Sequence, residues 1–408
     1  MTDGDVPSVR IPSPLPDGVS QATIGVRGGL LRSGFEETSE GLYLTSGYVY
    51  ESAADAEKAF TGEIDRFVYS RYGNPTIAMF EERLRLIEGA PAAFATASGM
   101  AAVFTSLGAL LKAGDRLVAG RSLFGSCFVV CNEILPRWGV ETVFVDGTDL
   151  DQWEQALSKP TQAVFFETPS NPMQSLVDIA AVSEMAHAAG AKVVLDNIFA
   201  TPLLQQGLPL GVDVVIYSGT KHIDGQGRVL GGAILGDKEY IDGPVQTLMR
   251  HTGPALSPFN AWVLLKGLET LSVRVNYSNA SAQRVAEYLE DHPAVRWVRY
   301  PFLPSHPQHD LAKRQMSGGG TVVTFELEAP EGKGKQRAFE VLDKLSIIDI
   351  SNNLGDAKTL ITHPATTTHR AMGPEGRAAI GLGDGVVRIS VGLEGTEDLL
   401  ADLARALG

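Results

Sequence analysis

Cysteine is nearly absent: the chain has two, Cys127 and Cys131, in 408 residues. They stand four apart in SLFGSCFVVCNEIL, so one helix face carries both. That spacing is a poor start for a disulfide, and two thiols with no nearby histidine make a weak metal site. Buried, reduced thiols and no metal are expected. Basic residues are also in deficit, 34 Lys and Arg against 48 Asp and Glu, for a net charge of −14. A nucleic-acid surface needs a basic stripe, so that partner is not expected. Any anionic substrate must be held by local cations. No stretch of about 18 uninterrupted apolar residues occurs, so no membrane span is expected. The opening MTDGDVPSVRIPSPLPDG mixes acids and prolines without an apolar segment and does not read as a signal peptide. Together with the reduced thiols, this fits a cytoplasmic protein. No internal repeat or low-complexity tract is evident.

What the chain does have is glycine, 44 residues against a usual share of about 7%. Such an excess goes with tight turns and close ligand approaches. Residues 1–74 mix Gly, Ser and Pro with aromatics and read as an arm, with one short helix near 52–60. Residues 75–265 alternate regularly. Helices are expected at 75–88, 99–112, 125–137 and 178–189. Apolar runs read as strands at 115–120, 141–146, 162–168, 191–197, 213–218 and 230–236. Strands separated by helices of this length predict an α/β fold, a mostly parallel central sheet flanked by helices, with function beyond the carboxyl ends of the strands. Residues 266–408, after long amphipathic helices over 261–290, mix shorter strands (VRWVRY, TVVTFEL, VVRISV) with helices and read as a smaller C-terminal α+β domain.

Chemistry-bearing residues gather at the strand ends. FFETPSNP places Asn171 just past one strand, and VVLDN ends another on Asp196. DVVIYSGTK sets Ser218, Thr220 and Lys221 beyond a third. ATASGMAA puts Ser98, Gly99 and Met100 at a helix start, where free N–H groups and the positive dipole end suit a phosphate. Asp196 taken alone could be an N-cap or turn residue. Taken with the rest, it is a partly buried carboxylate that needs a cationic partner. Lys221 could be a surface residue, but a pocketed amine with a lowered pKa can form a Schiff base and then serve as a base. Together these parts describe a pyridoxal 5'-phosphate (PLP) site. The lysine is bonded to the cofactor, the aspartate holds the pyridine nitrogen, and the helix N–H groups and hydroxyls hold the phosphate.

The motifs YSRYGNPT, ASGMAA, ETPSNP, VVLDN, YSGTKH, NLGDAKTLITHPATTTH and VRISVGLE occur in that order. With them the chain resembles the Cys/Met-metabolism family of PLP enzymes over nearly its whole length. The resemblance implies the PLP-dependent transferase fold type I, the aspartate aminotransferase-like architecture. It implies that Lys221 holds PLP and moves protons, that Asp196 pairs with the ring nitrogen, and that Gly99, Met100, Ser218 and Thr220 bind phosphate. Asn171 would approach the ring hydroxyl and Phe124, in SLFGSC, would stack on the ring. Arg388 would clamp the substrate α-carboxylate, a role suited to a bidentate guanidinium. The arm would reach a neighbouring subunit, where Tyr69 and Arg71 would bind phosphate, in a homotetramer built from dimers with shared sites. His222, His363 and His369 are given structural roles, because Lys221 already moves the proton.

Departures from the family pattern narrow the reading. Phe124 stands where many relatives have tyrosine. Ser126 stands where γ-lyases carry cysteine, and Asn353 replaces a serine common in cystathionine enzymes. HIDGQGRVLGG replaces the common continuation after the lysine. These features resemble the branch that joins an acylated homoserine to sulfide. They imply a transferase of methionine biosynthesis that converts the succinyl ester and sulfide to homocysteine and succinate. The alternatives are cysteine as sulfur donor, an acetyl donor, γ-elimination, or a non-catalytic scaffold. Arg228, seven residues past Lys221, is expected either to line the same pocket and recognise the distal succinyl carboxylate, or to tie a loop to the sheet.

Overall fold

The computed structural model describes residues 14–408. Most of the segment read above as no signal peptide, and the start of the arm, lie outside the described residues.

Seven strands form the larger sheet: β1 (Ala92–Thr96), β2 (Arg116–Gly120), β3 (Glu141–Val145), β4 (Ala163–Glu167), β5 (Lys192–Asp196), β6 (Val214–Ser218) and β7 (Gly232–Gly236). Their order is β1-β7-β6-β5-β4-β2-β3. Strands β2 to β6 run parallel, and β7 is antiparallel to both β6 and β1. The central strands are apolar along their middles because helices cover both faces. Successive β4 residues therefore enter different cores: Val164 and Phe166 pack on one side, Ala163 and Phe165 on the other.

The flanking helices start and stop where local chemistry directs. Asn74 caps Pro75–Glu88, its side chain accepting from the Thr76 N–H, with Pro75 in the first turn and Gly89 closing it at φ 77°. Ser98 caps Gly99–Leu110 by accepting from the Ala101 N–H. Cys127 and Cys131 lie in the expected helical region after residue 125, and both are buried and free.

A second sheet contains β8 (Val295–Arg299), β9 (Val322–Leu327), β10 (Asp349–Ile350), β11 (Leu360–Thr362) and β12 (Val386–Ser390), in the order β10-β11-β12-β9-β8. It has its own apolar core, which includes Phe325, Val387, Ile389 and Leu403. Because side chains alternate along a strand, Val387 and Ile389 enter that core while Arg388 faces the other way. There its Nη1 reaches Asn171, just past β4, at 3.0 Å.

Among the elements that the sequence reading missed are one strand of the larger sheet and two helices. β1, AAFAT, is alanine-rich, has no β-branched residue until its end, and is stabilised by pairing with β7. Gln21–Arg27 and Leu150–Leu157 are short helices. No helix among the described residues is long and apolar enough to cross a membrane.

Candidate active site

The carboxyl ends of β4, β5 and β6 deliver Glu167, Asp196 and Ser218 to one edge of the sheet, where Glu167 and Asp196 are register partners. A cavity of about 230 Å³ opens there, between the larger sheet and the segment 352–354 of the C-terminal part. Ser98, Gly99, Met100, Phe124, Asn171 and Asp196 line it. So do Ser218, Thr220, Lys221 and Arg388.

Lys221 lies in the turn Gly219–Ile223 that follows β6, where its backbone leaves helical geometry (φ −95°, ψ −124°). Its Nζ donates to Asn353 Oδ1 at 2.5 Å. Burial, helped by the positive charge of Arg388, pulls its pKa down to about 8. Asp196 is buried, and Oδ1 accepts from the Ile198 N–H at 3.1 Å. No cation among the described residues pairs with it, and burial raises its pKa to about 7. A buried carboxylate without a counter-ion is costly, so this position calls for a cationic group from a ligand.

Arg388 is 1% exposed. Beyond Asn171, its Nη2 donates to the carbonyls of Asn352 and Asn353 at 2.9 and 3.1 Å. Nε is buried without a partner among the described residues. Burial lowers its pKa to about 10, so it stays charged at neutral pH. One edge of the guanidinium is thus held by protein acceptors, and Nε remains for a ligand.

The phosphate-type end is built from backbone. A Cβ at Gly99 would lie 2.7 Å from Ser218 Cβ, and one at Gly232 would lie 2.4 Å from the Ser98 carbonyl oxygen. Any larger residue would fill this cradle at the start of the Gly99–Leu110 helix. Thr220 Oγ1 accepts from the Gly231 N–H at 3.2 Å, which fixes the turn.

Several expected residues sit elsewhere. Tyr69 and Arg71 do not line the cavity of their own chain. Arg71 lies over the Tyr69 and Tyr72 rings, with its Nη1 donating to the Arg250 carbonyl. Arg228 is also absent from the lining. Its Nε pairs with the fully buried Asp224 carboxylate at 2.8 Å, and Nη2 donates to the Asp224 carbonyl, so the loop-tying geometry holds. His222, His363 and His369 are buried, their pKa values lowered chiefly by that burial. They bond to Thr321, Asp384 and Asn171 respectively.

The sequence reading also passed over Glu167 and Asn352, which line the cavity. Glu167 is fully buried by β4 and its neighbours. Its pKa is pushed well up by burial and by Asp196, against the pull of two backbone donors and Arg388. Its place at the end of a buried strand, like that of Asp196, was the signal available.

An unpaired carboxylate, a lowered-pKa lysine, a guanidinium with a free edge and a glycine-lined helix start fit PLP. The chain belongs to the Cys/Met metabolism PLP-dependent enzymes, whose pattern matches residues 22–408. Its cofactor is PLP. Among curated relatives, it is 84% identical over 403 residues to an O-succinylhomoserine sulfhydrylase of Mycobacterium tuberculosis, covering 99% of each chain. It is 48% identical over 391 residues to an O-succinylhomoserine sulfhydrylase of Pseudomonas aeruginosa, covering 96% of each. A solved Campylobacter jejuni structure carrying N'-pyridoxyl-lysine-5'-monophosphate superposes with a TM-score of 0.90 at 31% identity, covering 95% of this chain and all of the other.

The buried acid carries a pH signature. Between the ordinary value of 3.8 and about 7, the folded, cofactor-free protein holds a proton on Asp196 that the unfolded chain releases. The stability this group contributes is therefore whole below the unfolded value and is lost as pH rises through the folded one. Asp196→Asn keeps the acceptor for Ile198 and removes the titration. In cofactor-free protein, thermal unfolding should show the variant gaining on the unmodified chain from about pH 4 to about pH 7. A constant gap across that window would contradict the assignment.

Proposed function

We propose that this protein is an O-succinylhomoserine sulfhydrylase, exchanging succinate for sulfide at the γ-carbon of O-succinyl-L-homoserine to give L-homocysteine. The near-full-length likeness to two proteins of that name carries the reading. PLP, when bound, supplies an electron-withdrawing ring that stabilises negative charge on the substrate carbons next to its amine.

The chain's residues divide the remaining work. Lys221 would hold the cofactor through Nζ, and as a free amine it would accept the α-proton of the substrate and return protons. Its lowered pKa keeps a useful share of the amine neutral. Asp196 would hold the ring nitrogen, its carboxylate favouring a positive charge there. The Gly99 and Met100 backbone and Ser98, Ser218 and Thr220 would hold the phosphate, and Asn171 and Phe124 would border the ring. Arg388 takes the α-carboxylate through its free edge. Asn353 orients Nζ. The Cγ–O bond to succinate breaks and a Cγ–S bond to sulfide forms.

Tyr69 and Arg71 are assigned to the site of a second copy, with the active assembly a homotetramer built from dimers. The arm supports this, since Phe35 is 94% and Val49 89% exposed in the single chain. The three-part division at 74 and 265 describes how the arm, the larger sheet and the smaller sheet share these roles.

The test offers succinyl- and acetyl-homoserine, each with sulfide or cysteine, and identifies products by mass spectrometry. Homocysteine from the succinyl ester and sulfide should dominate; cystathionine as the main product would overturn the reading. In the same assay Arg228→Ala should leave the succinyl-to-acetyl preference in kcat/KM within about 3-fold. Its expected cost is about 1–2 kcal/mol of stability, because Asp224 loses a partly screened partner. A larger change in preference would return Arg228 to the substrate site.

A further inference from the structure

Glu167 has no part in the chemistry above, yet it is kept where a carboxyl group is expensive. It ends a strand that is otherwise apolar, AVFF, beside a second buried acid. What it gains there is two backbone donors from different loops. Oε2 accepts from the Phe124 N–H at 2.8 Å, 43 residues away in the chain, and Oε1 from the Asn171 N–H at 3.1 Å. Both loops form cavity wall. The Phe124 ring borders the space assigned to the cofactor. The Asn171 side chain accepts from Arg388 Nη1 at 3.0 Å, and the Asn171 carbonyl accepts from His369.

We propose that Glu167 is a positioning residue that locks the cofactor wall to the carboxylate clamp, acting on Arg388 through Asn171. Both oxygens of the carboxyl group keep lone pairs and can accept from the two N–H groups, with or without a proton. The isosteric amide has one oxygen and one NH₂, so in Glu167→Gln one backbone N–H loses its acceptor and meets a donor. The inference rests on PLP occupying the cavity and not on the identity of the acyl group.

The test titrates PLP-loaded protein with homoserine and with propanolamine, which is homoserine without its carboxylate. Binding is followed by the cofactor absorption band and its circular dichroism. In Glu167→Gln the Kd for homoserine should rise about 10-fold or more, while that for propanolamine changes less than about 2-fold. The dichroism of the band should change as the Phe124 wall shifts. Asn171→Ala should reproduce the homoserine-selective loss. Glu167→Asp, which keeps both acceptors but withdraws them by one methylene, should show a smaller selective loss and decides the matter if the glutamine variant does not take up PLP. Equal weakening of both ligands, or no weakening of either, would overturn the proposal. Failure of the succinyl assay would leave it standing.

Discussion

Lys221→Ala is expected to lower turnover on the acylated homoserine by on the order of 10⁴-fold or more, since under the proposed function it removes both the covalent hold and the proton carrier. The environment explains why no neighbour substitutes. With its pKa near 8, roughly one amine in ten is neutral at pH 7, against about one in three thousand at the ordinary value. The other titratable groups on the cavity are less suited, Cys127 because burial pushes its thiol pKa well up. Arg388 stays charged, and Asp196 and Glu167 are buried acids whose pKa values are raised. Lys221→Arg should not restore activity, because a guanidinium does not give up its proton. Steady-state rates check this, together with loss of borohydride-stable pyridoxyl labelling. Turnover within tenfold of the unmodified enzyme would refute the role.

The second large effect belongs to Arg388. Arg388→Ala should reduce kcat/KM by roughly 10²–10³-fold, the scale of losing one partner of a buried, charge-assisted carboxylate contact. The loss spreads further than the substrate. The guanidinium also bonds Asn171, Asn352 and Asn353, and Asn353 holds the Lys221 amine. Part of the fall should therefore appear in kcat as well as in KM. Arg388→Lys keeps the charge but not the planar fork, and should recover little of the loss. Measured kcat and KM for both variants test this. A change confined to kcat, with KM untouched, would argue against carboxylate binding.

Much of the larger sheet was legible because its signals are local. Buried parallel strands are short apolar runs, and the ends of β5 and β6 carry Asp196 and Lys221 within a few residues of those runs. Ser98 before Gly99 marks a helix start in three letters. Such motifs name the cofactor without any knowledge of distance. β1 escaped because an alanine-rich segment has no strong preference of its own, and its pairing with β7 decides its state.

The site residues divide along the same line. Residue types were set by the sequence alone: a lysine, an aspartate and an asparagine at strand ends and an arginine within a strand, each in a recognisable short context. Which of them meet was decided by tertiary structure. The link from Lys221 to Asn353 and on to Arg388 joins positions on two sheets, and no periodicity reports contacts over such separations. Arg228, near Lys221 in sequence, turned to Asp224 because a buried carboxylate draws the nearest fork. Glu167, an unremarked letter in FFETP, became the brace of two loops because burial makes every unpaired donor and acceptor seek a partner. Local chemistry is written in neighbouring residues; desolvation, and the pairing it enforces, exists only once the chain has folded.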